Sequence, residues 1–228
     1  VMLPHYSALK VAEQFRVLEA LAPGRIDLGV GRAPGADMRT AQLLNPDAYG
    51  AAEKFPQQIR DLQWWTAGEA HHGVVAHPRG PHLPQIWVLG SSDYGAQLAA
   101  HFGLPYAFAY FFADGQGCEQ ALELYRTLYK PSERHPTPQP TICVWALAAD
   151  SEAEATHHAL SRERWRIDRM RGALGPLKPP DEIAARGFSA DEQAIVDAAR
   201  SKALVGTAAQ VAAKMRALAG SLGLDELV

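Results

Sequence analysis

The chain has 228 residues, of which 47% are hydrophobic, and its formal net charge is -3 at neutral pH. This length is typical of one domain with a sizeable core, so we expect residues 1–228 to form a single domain. Proteins that bind nucleic acid or an anionic membrane usually carry a basic excess, which this composition lacks. The composition therefore argues against both kinds of partner.

The sequence shows no sign of export or of membrane insertion. Its two cysteines, Cys118 and Cys143, are too few for a disulfide framework. No apolar run approaches the roughly 20 residues that a membrane-spanning helix needs. The first residues lack the charged start and the long apolar stretch of a signal peptide. We therefore expect a cytoplasmic protein.

Short apolar runs alternate with stretches of helical periodicity along the whole chain. The runs predict strands at 1–3, 26–30, 85–89, 106–112, 141–149 and 224–228, and the periodic stretches predict helices at 7–22, 51–66, 90–102, 118–129, 151–171 and 207–222. Loops are expected at 31–50 and 172–187. Capping-box pairs predict helix starts at Ser151 with Glu154, Ser189 with Glu192 and Thr207 with Gln210. Strands separated by helices of about ten or more residues pair in parallel, which predicts one α/β domain. An open doubly wound sheet and a barrel both fit.

The predicted strand at 26–30 ends in the segment Leu28–Gly35, which contains Gly31 and Arg32. The segment looks like a dinucleotide-binding glycine motif, but Pro34 occupies the third glycine position and no helical pattern begins there. The glycines leave room for a ligand near the backbone, and the Arg32 guanidinium suits a phosphate. A tight turn with a surface arginine is the alternative, and composition alone slightly favours it.

The predicted strand at 85–89 runs into Ser91, Ser92, Tyr94 and Gly95 at the start of a helix. Unpaired backbone amides, the positive end of the helix dipole and two hydroxyl groups would meet there, as in many anion sites. An ordinary helix cap is the alternative. Because the carboxyl ends of parallel strands carry function, two anion-suited ends together favour a ligand with a phosphate.

Other polar clusters predict less. The histidines at positions 71, 72, 77 and 82 lack the spacing of zinc ligands, so we expect no metal site. The arginines at positions 162, 164, 166, 169 and 171 alternate with Glu163 and Asp168, a pattern that is typical of a solvated helix face.

Four blocks of sequence carry a resemblance to a known family. They are 1–4 with 12–14, then 23–35, then 89–92 with 99–105, and finally 205–207. With these blocks the chain resembles the bacterial luciferase-like monooxygenases, flavin-dependent oxidoreductases. The resemblance implies a (β/α)₈ TIM barrel that is incomplete in this chain, with the first two β/α units and the end of the eighth outside it.

The resemblance also assigns residues to the cofactor FMN. Arg32 matches the family's phosphate-binding arginine, while Ser92 and Gly95 match positions that contact the phosphate after the next strand. Gly31 stands where luciferase carries a reactive cysteine. The cofactor-binding residues that we predict are Gly31, Arg32, Ser91, Ser92, Tyr94 and Gly95. Lys54 is a guess for a second phosphate-binding cation.

No catalytic residue is predicted, because the family's histidine belongs to a β/α unit before this chain. His5 and Tyr6 face the expected site without an assigned role. The resemblance implies an enzyme that uses reduced FMN from a flavin reductase, together with O₂, to oxygenate a small organic substrate selected by the two predicted loops.

Three alternatives stay open at this point. The first is a deazaflavin-dependent hydride-transfer enzyme of the same superfamily, and the second is a non-catalytic flavin-binding protein with a partial barrel. The third is a fragment without activity of its own. A homodimer is a further expectation that the sequence leaves open.

Overall fold

A computed structural model of the protein describes residues 1–112, 114–173 and 175–228, except for the side chain at position 49. The described residues form two compact units. The amino-terminal unit comprises Val1–Ala109 and Gly117–Thr141, and the carboxy-terminal unit comprises Tyr110–Gln116 and Ile142–Val228.

The amino-terminal unit is built on a parallel sheet. Strands β1 (Asp27–Gly31), β2 (Gln85–Gly90) and β3 (Tyr106–Ala109) pair in that order, and β4 (Pro140–Cys143) follows β3 in the sheet. Met2 adds a parallel bridge to Gly31 before a 3₁₀ turn at Leu3–His5. The predicted strands at 26–30 and 85–89 and their parallel pairing are confirmed, whereas the one at 106–112 ends at Ala109 before a 3₁₀ turn, and the one at 1–3 is reduced to the bridge at Met2.

One face of the sheet is fully buried. Leu28 and Val30 of β1 and Val88 of β2 have no exposed surface, whereas Gly29 and Trp87 on the opposite face are partly exposed. Alternate residues of a strand point to opposite faces, so the apolar residues at every second position meet the covering helices. Burying each of these aliphatic side chains contributes about 1.5–3 kcal/mol.

The helices of this unit are α1 (Ala8–Leu21), α2 (Met38–Leu44), α3 (Ala48–Ala51), α4 (Phe55–Ala67), α5 (Asp93–Phe102) and α6 (Cys118–Leu128). In α4, the residues Phe55, Ile59 and Leu62 recur at helical spacing and are almost fully buried. In α5, Ala96 and Ala99 are small enough to bring the helix close to β2.

The predicted loop at 31–50 is wrong beyond its first residues, since α2 and α3 lie inside it. The Asp37 carboxylate caps α2 by accepting a hydrogen bond from the Thr40 amide at 3.1 Å. The helix is short and its Leu43 and Leu44 are exposed, so the sequence carries little of the periodicity that signals a helix.

The carboxy-terminal unit contains a second parallel pair, β5 (Ala146–Ala149) with β6 (Leu204–Thr207). Its helices are α7 (Glu152–Met170), α8 (Pro180–Arg186), α9 (Ala190–Arg200) and α10 (Ala208–Leu222). The predicted strand at 141–149 is interrupted at 144–145, and β6 was not predicted. A parallel bridge between Ile142 and Leu227 confirms the strand character of the last residues.

Helix α8 overturns the predicted loop at 172–187, of which Leu174 lies outside the described residues. The predicted capping boxes at Ser189 and Thr207 are both complete. Ser151 caps α7 through the Glu154 amide, but the Glu154 carboxylate accepts from the Asp150 amide, so the reciprocal half of that box is absent.

The interpretation of the α7 arginines as a solvated face is wrong for its central members. Arg164 is only 4% exposed and pairs with Asp168 and Glu192. Arg166 forms a bidentate pair with Asp114 at 2.7 and 2.6 Å. Glu192 and Asp114 are remote in sequence from these arginines, so the local alternation of charge with residues such as Asp168 hid their burial.

Among the residues that the structure describes, each helix is too short or too polar to pass through a bilayer.

Glu192 makes the stability of this unit depend on acid pH. The Ser189 amide and the Arg164 guanidinium lower the pKa of the buried Glu192 carboxyl from 4.5 to about 2. Because the ionised form is stabilised in the folded state, its contribution is complete above about pH 4.5 and is lost as the pH falls through 2. We expect the urea midpoint, followed by circular dichroism, to fall less over this interval in E192Q than in the wild type.

The exposed Glu182 on α8 provides the matched control, and E182Q should retain the wild-type slope. Equal pH slopes for E192Q and the wild type would contradict the assignment.

Candidate functional site

The parallel register brings the carboxyl ends of β1 and β2 to one edge of the amino-terminal sheet. Gly31 lies opposite Leu89, so the residues that follow each strand emerge side by side. The Arg32 guanidinium carbon lies 4.1 Å from the centre of the Tyr94 ring. The structure therefore brings together the two strand ends that the sequence analysis singled out.

Arg32 is exposed, and in the described part of the chain no carboxylate forms an ion pair with it. Its contact with the Tyr94 ring is a cation–π interaction, which orients the guanidinium and leaves its in-plane donors available. Tyr94 is itself 38% exposed. Arg32 therefore presents a positive charge at the start of α5.

The first turn of α5 carries further donors. Ser92 is the cap residue, but its side chain makes no capping hydrogen bond, so the hydroxyl is not used by the helix. The amides of Asp93 and Tyr94 have no acceptor within the helix because of their position in its first turn. The Asp93 carboxylate accepts a hydrogen bond from Nε2 of Gln120 at 2.8 Å, which holds it on α6.

Gly95 has a packing reason to be glycine. A Cβ atom at Gly95 would lie 3.2 Å from the Cα of Gly90 and 3.4 Å from the Tyr106 ring. Tyr106 is fully buried, its hydroxyl donates to the Ser92 carbonyl at 3.3 Å, and burial raises the pKa of its hydroxyl. This contact between β2, β3 and α5 sets the position of the helix start.

Gly31 is different, because packing does not require a glycine there. A Cβ atom at Gly31 would meet nothing closer than the Leu89 carbonyl oxygen at 3.8 Å, whereas one at Gly29 would meet the Leu89 side chain at 3.0 Å. A small side chain at position 31 would therefore fit at ordinary van der Waals distance from Leu89. The indole nitrogen of Trp87 is buried and has no acceptor among the described residues.

The loop that carries Arg32 is held by the first residues of the chain, a role the sequence analysis missed. The Gly31 amide donates to the Val1 carbonyl at 2.9 Å, and Gly35, with φ of 69°, packs against the Met2 sulfur. Nε2 of His5 lies 3.0 Å from the Pro34 carbonyl oxygen. Since that oxygen only accepts, the His5 proton is on Nε2, and the buried Nδ1 has no partner among the described residues.

Two further groups that the sequence analysis discussed have ionic partners in the structure. Lys54 is engaged by Asp47 at 2.8 Å, and this hydrogen bond raises the pKa of Lys54. His71 pairs with Asp61 at 3.3 Å and stacks on Trp64 with a 4.3 Å distance between ring centres. Within the ranges that the structure describes, no group of three or more potential metal ligands occurs.

Comparison with known proteins identifies relatives over the whole chain. The sequence model described as "Luciferase-like monooxygenase" matches residues 1–226. A protein named luciferase-like monooxygenase from Escherichia coli K12 is 41% identical over 230 residues, which cover 100% of this chain and 68% of that protein.

Solved structures agree. The crystal structure of apo-MsnO8 is similar with a TM-score of 0.86 and 30% identity, over 100% of this chain and 69% of that one. The oxygenating constituent of 3,6-diketocamphane monooxygenase of Pseudomonas putida, solved with FMN, gives 0.62 and 18%, over 99% of this chain and 69% of that one. The predicted TIM-barrel fold class is confirmed.

Substitution of the two site glycines separates packing from open space. We expect G95A to lower the free energy of unfolding by about 1–3 kcal/mol, because its methyl group must displace the Gly90 backbone or the Tyr106 ring. G31A, the matched control, should change it by no more than about 0.5 kcal/mol. Urea titration followed by circular dichroism measures both. A G95A protein as stable as the wild type would refute the close approach of α5 to β2.

Proposed function

Because the chain belongs to the luciferase-like monooxygenase family, we propose that it is an FMN-dependent monooxygenase that oxygenates a small organic molecule with O₂. The observation that carries the proposal is the 4.1 Å contact between Arg32 and Tyr94, which joins two anion-suited strand ends at one edge. Reduced FMN would come from a flavin reductase. That partner, a homodimer and a cytoplasmic location remain predictions.

The donors at this edge fit a phosphate dianion. Arg32 offers a planar fork with no competing carboxylate among the described residues, and Ser92 offers a hydroxyl that the helix leaves unused. The unpaired backbone amides in the first turn of α5 lie at the positive end of the helix dipole, where an anion is stabilised. Hydrogen bonds to an ionised acceptor are about twice as strong as neutral ones, so phosphate is the group that this edge suits best.

The flat part of a flavin suits the neighbouring surface. The absence of a side chain at Gly31 would let a planar group approach the backbone, because a Cβ atom there would already be in ordinary van der Waals contact with Leu89 at 3.8 Å. The buried indole N–H of Trp87 on β2 is a donor that has no acceptor among the described residues. When bound, FMN would supply the electrons and the activation of O₂.

The protein's own residues would then bind, orient and shield. Arg32 and the segment Ser91–Gly95 hold the phosphate, with Gly31 providing clearance. His5 acts through the Pro34 carbonyl, so it is a positioning residue for the Arg32 loop and not a catalytic one. The segments 31–50 and 172–187, which the sequence analysis assigned to substrate selection, contain α2 and α8 respectively.

Removing the Arg32 guanidinium should weaken FMN binding by roughly 10- to 100-fold, because a charge-assisted hydrogen bond contributes about 1.5–3 kcal/mol. The measurement is quenching of flavin fluorescence on titration with R32A. Riboflavin, which lacks the phosphate, should bind the wild type and R32A equally. Arg39, an exposed arginine on α2, gives the control variant R39A.

Equal FMN affinity for R32A and the wild type would refute the phosphate assignment. A deazaflavin is the other cofactor that the family resemblance implies, so tighter binding of coenzyme F420 than of FMN would replace the monooxygenase proposal by hydride transfer. NADH-dependent O₂ uptake in the presence of FMN and a flavin reductase tests the activity directly, and R32A should reduce it at limiting FMN.

A further inference from the structure

A small cavity lies inside the carboxy-terminal unit and belongs to none of the residues assigned above. Its volume is about 50 Å³, which is room for several non-hydrogen atoms. Its walls come from the turn at Tyr110–Phe112, the break between β4 and β5, one face of α7, the end of α9 and the start of β6. On α7 the lining residues recur at helical spacing, at positions 159, 162, 163 and 166.

Two of the three arginines in the wall are neutralised within the unit. Arg166 forms its bidentate pair with Asp114 at 2.7 and 2.6 Å, and Arg200 forms another with Glu163 at 2.7 and 2.8 Å. These carboxylates raise the pKa of both guanidinium groups. The positive charge of each of these two arginines is therefore balanced by a carboxylate of the same unit.

Arg162 is the exception. Its Nη2 donates to the Phe111 carbonyl at 3.0 Å, and its guanidinium carbon lies 4.3 Å from the centre of the Trp145 ring. Among the described residues no carboxylate forms an ion pair with it. Burial and the neighbouring Arg166 lower the pKa of Arg162, and the Asp114 carboxylate, which Arg166 already binds, offsets only part of this shift.

We infer that this cavity binds a small organic carboxylate, whose oxygens receive the remaining N–H donors of Arg162. A guanidinium matches the planar carboxylate with two parallel hydrogen bonds. Val144, Ala203 and Val205 give the cavity apolar walls that suit a hydrocarbon body better than a strongly hydrated inorganic anion. The inference goes beyond the proposed function, since this binding requires no flavin.

A larger neighbouring cavity of about 300 Å³ gives the body of such a ligand room. It shares Ala159, Val205 and the Arg200–Glu163 pair with the first cavity. Glu163 is 9% exposed and is fixed by Arg200, so its negative charge is already compensated on the shared side. An organic acid longer than its carboxylate group therefore has a direction in which to extend.

The test compares benzoate with benzamide, which have nearly the same shape but differ in charge. Isothermal titration calorimetry on flavin-free protein should show benzoate binding at least about tenfold more tightly than benzamide. R162A and R162Q should both remove this preference. R169A, which removes an exposed arginine of the same helix, should retain it. Unchanged thermal midpoints in R162Q and R169A would show that the fold is intact.

Several results would overturn the inference. They are equal binding of benzoate and benzamide, benzoate binding by R162Q at wild-type affinity, and displacement of benzoate by inorganic phosphate at equal concentration. The flavin proposal fails separately, because R32A should leave benzoate affinity unchanged and R162Q should leave FMN affinity unchanged.

Discussion

The parallel register between β1 and β2 is the constraint on which the proposed site depends. With Gly31 opposite Leu89, the next residue of β1 and the start of α5 emerge at the same edge, and Arg32 meets the Tyr94 ring. A shift of the register by one residue would turn Arg32 to the opposite face and would break the alternation that buries Leu28 and Val30. The same strand pairing therefore sets both the core packing and the geometry of the proposed site.

The close approach of Gly90 and Gly95 sets the distance between the start of α5 and strand β2. With the Tyr106 hydroxyl on the Ser92 carbonyl, it fixes how far the first turn of α5 stands from the sheet. Helix position and amide direction then follow without any contribution from the ligand. This is preorganisation, which lowers the entropic cost of binding. Gly31 differs from Gly95, because its neighbours would tolerate a Cβ atom and packing therefore does not require a glycine there.

The sequence predicted the parts of the fold that have strong local signals. The apolar runs of β1 and β2 end in glycine, and hydroxyl residues mark the start of α5. The caps at Ser189 and Thr207 were indicated by a Glu or Gln three residues later. β6 was missed because four residues between two helices give too short an alternation. The pairing of Arg166 with Asp114, 52 residues away, could not be read from spacing, so buried arginines resembled a solvated face. The Arg32–Tyr94 contact required the register itself.

The bridge from His5 to Pro34 has a thermodynamic consequence. None of residues 1–5 is assigned a contact with the ligand. They nevertheless hold the loop that carries Arg32, which is assigned to the ligand. Any ligand that binds to that loop should therefore stabilise residues 1–5 in their folded position, and local unfolding of residues 1–5 should weaken binding by the same free energy, because coupling between two sites is reciprocal. Residues 1–5 therefore contribute free energy to the proposed site although none of them is assigned a contact with the ligand.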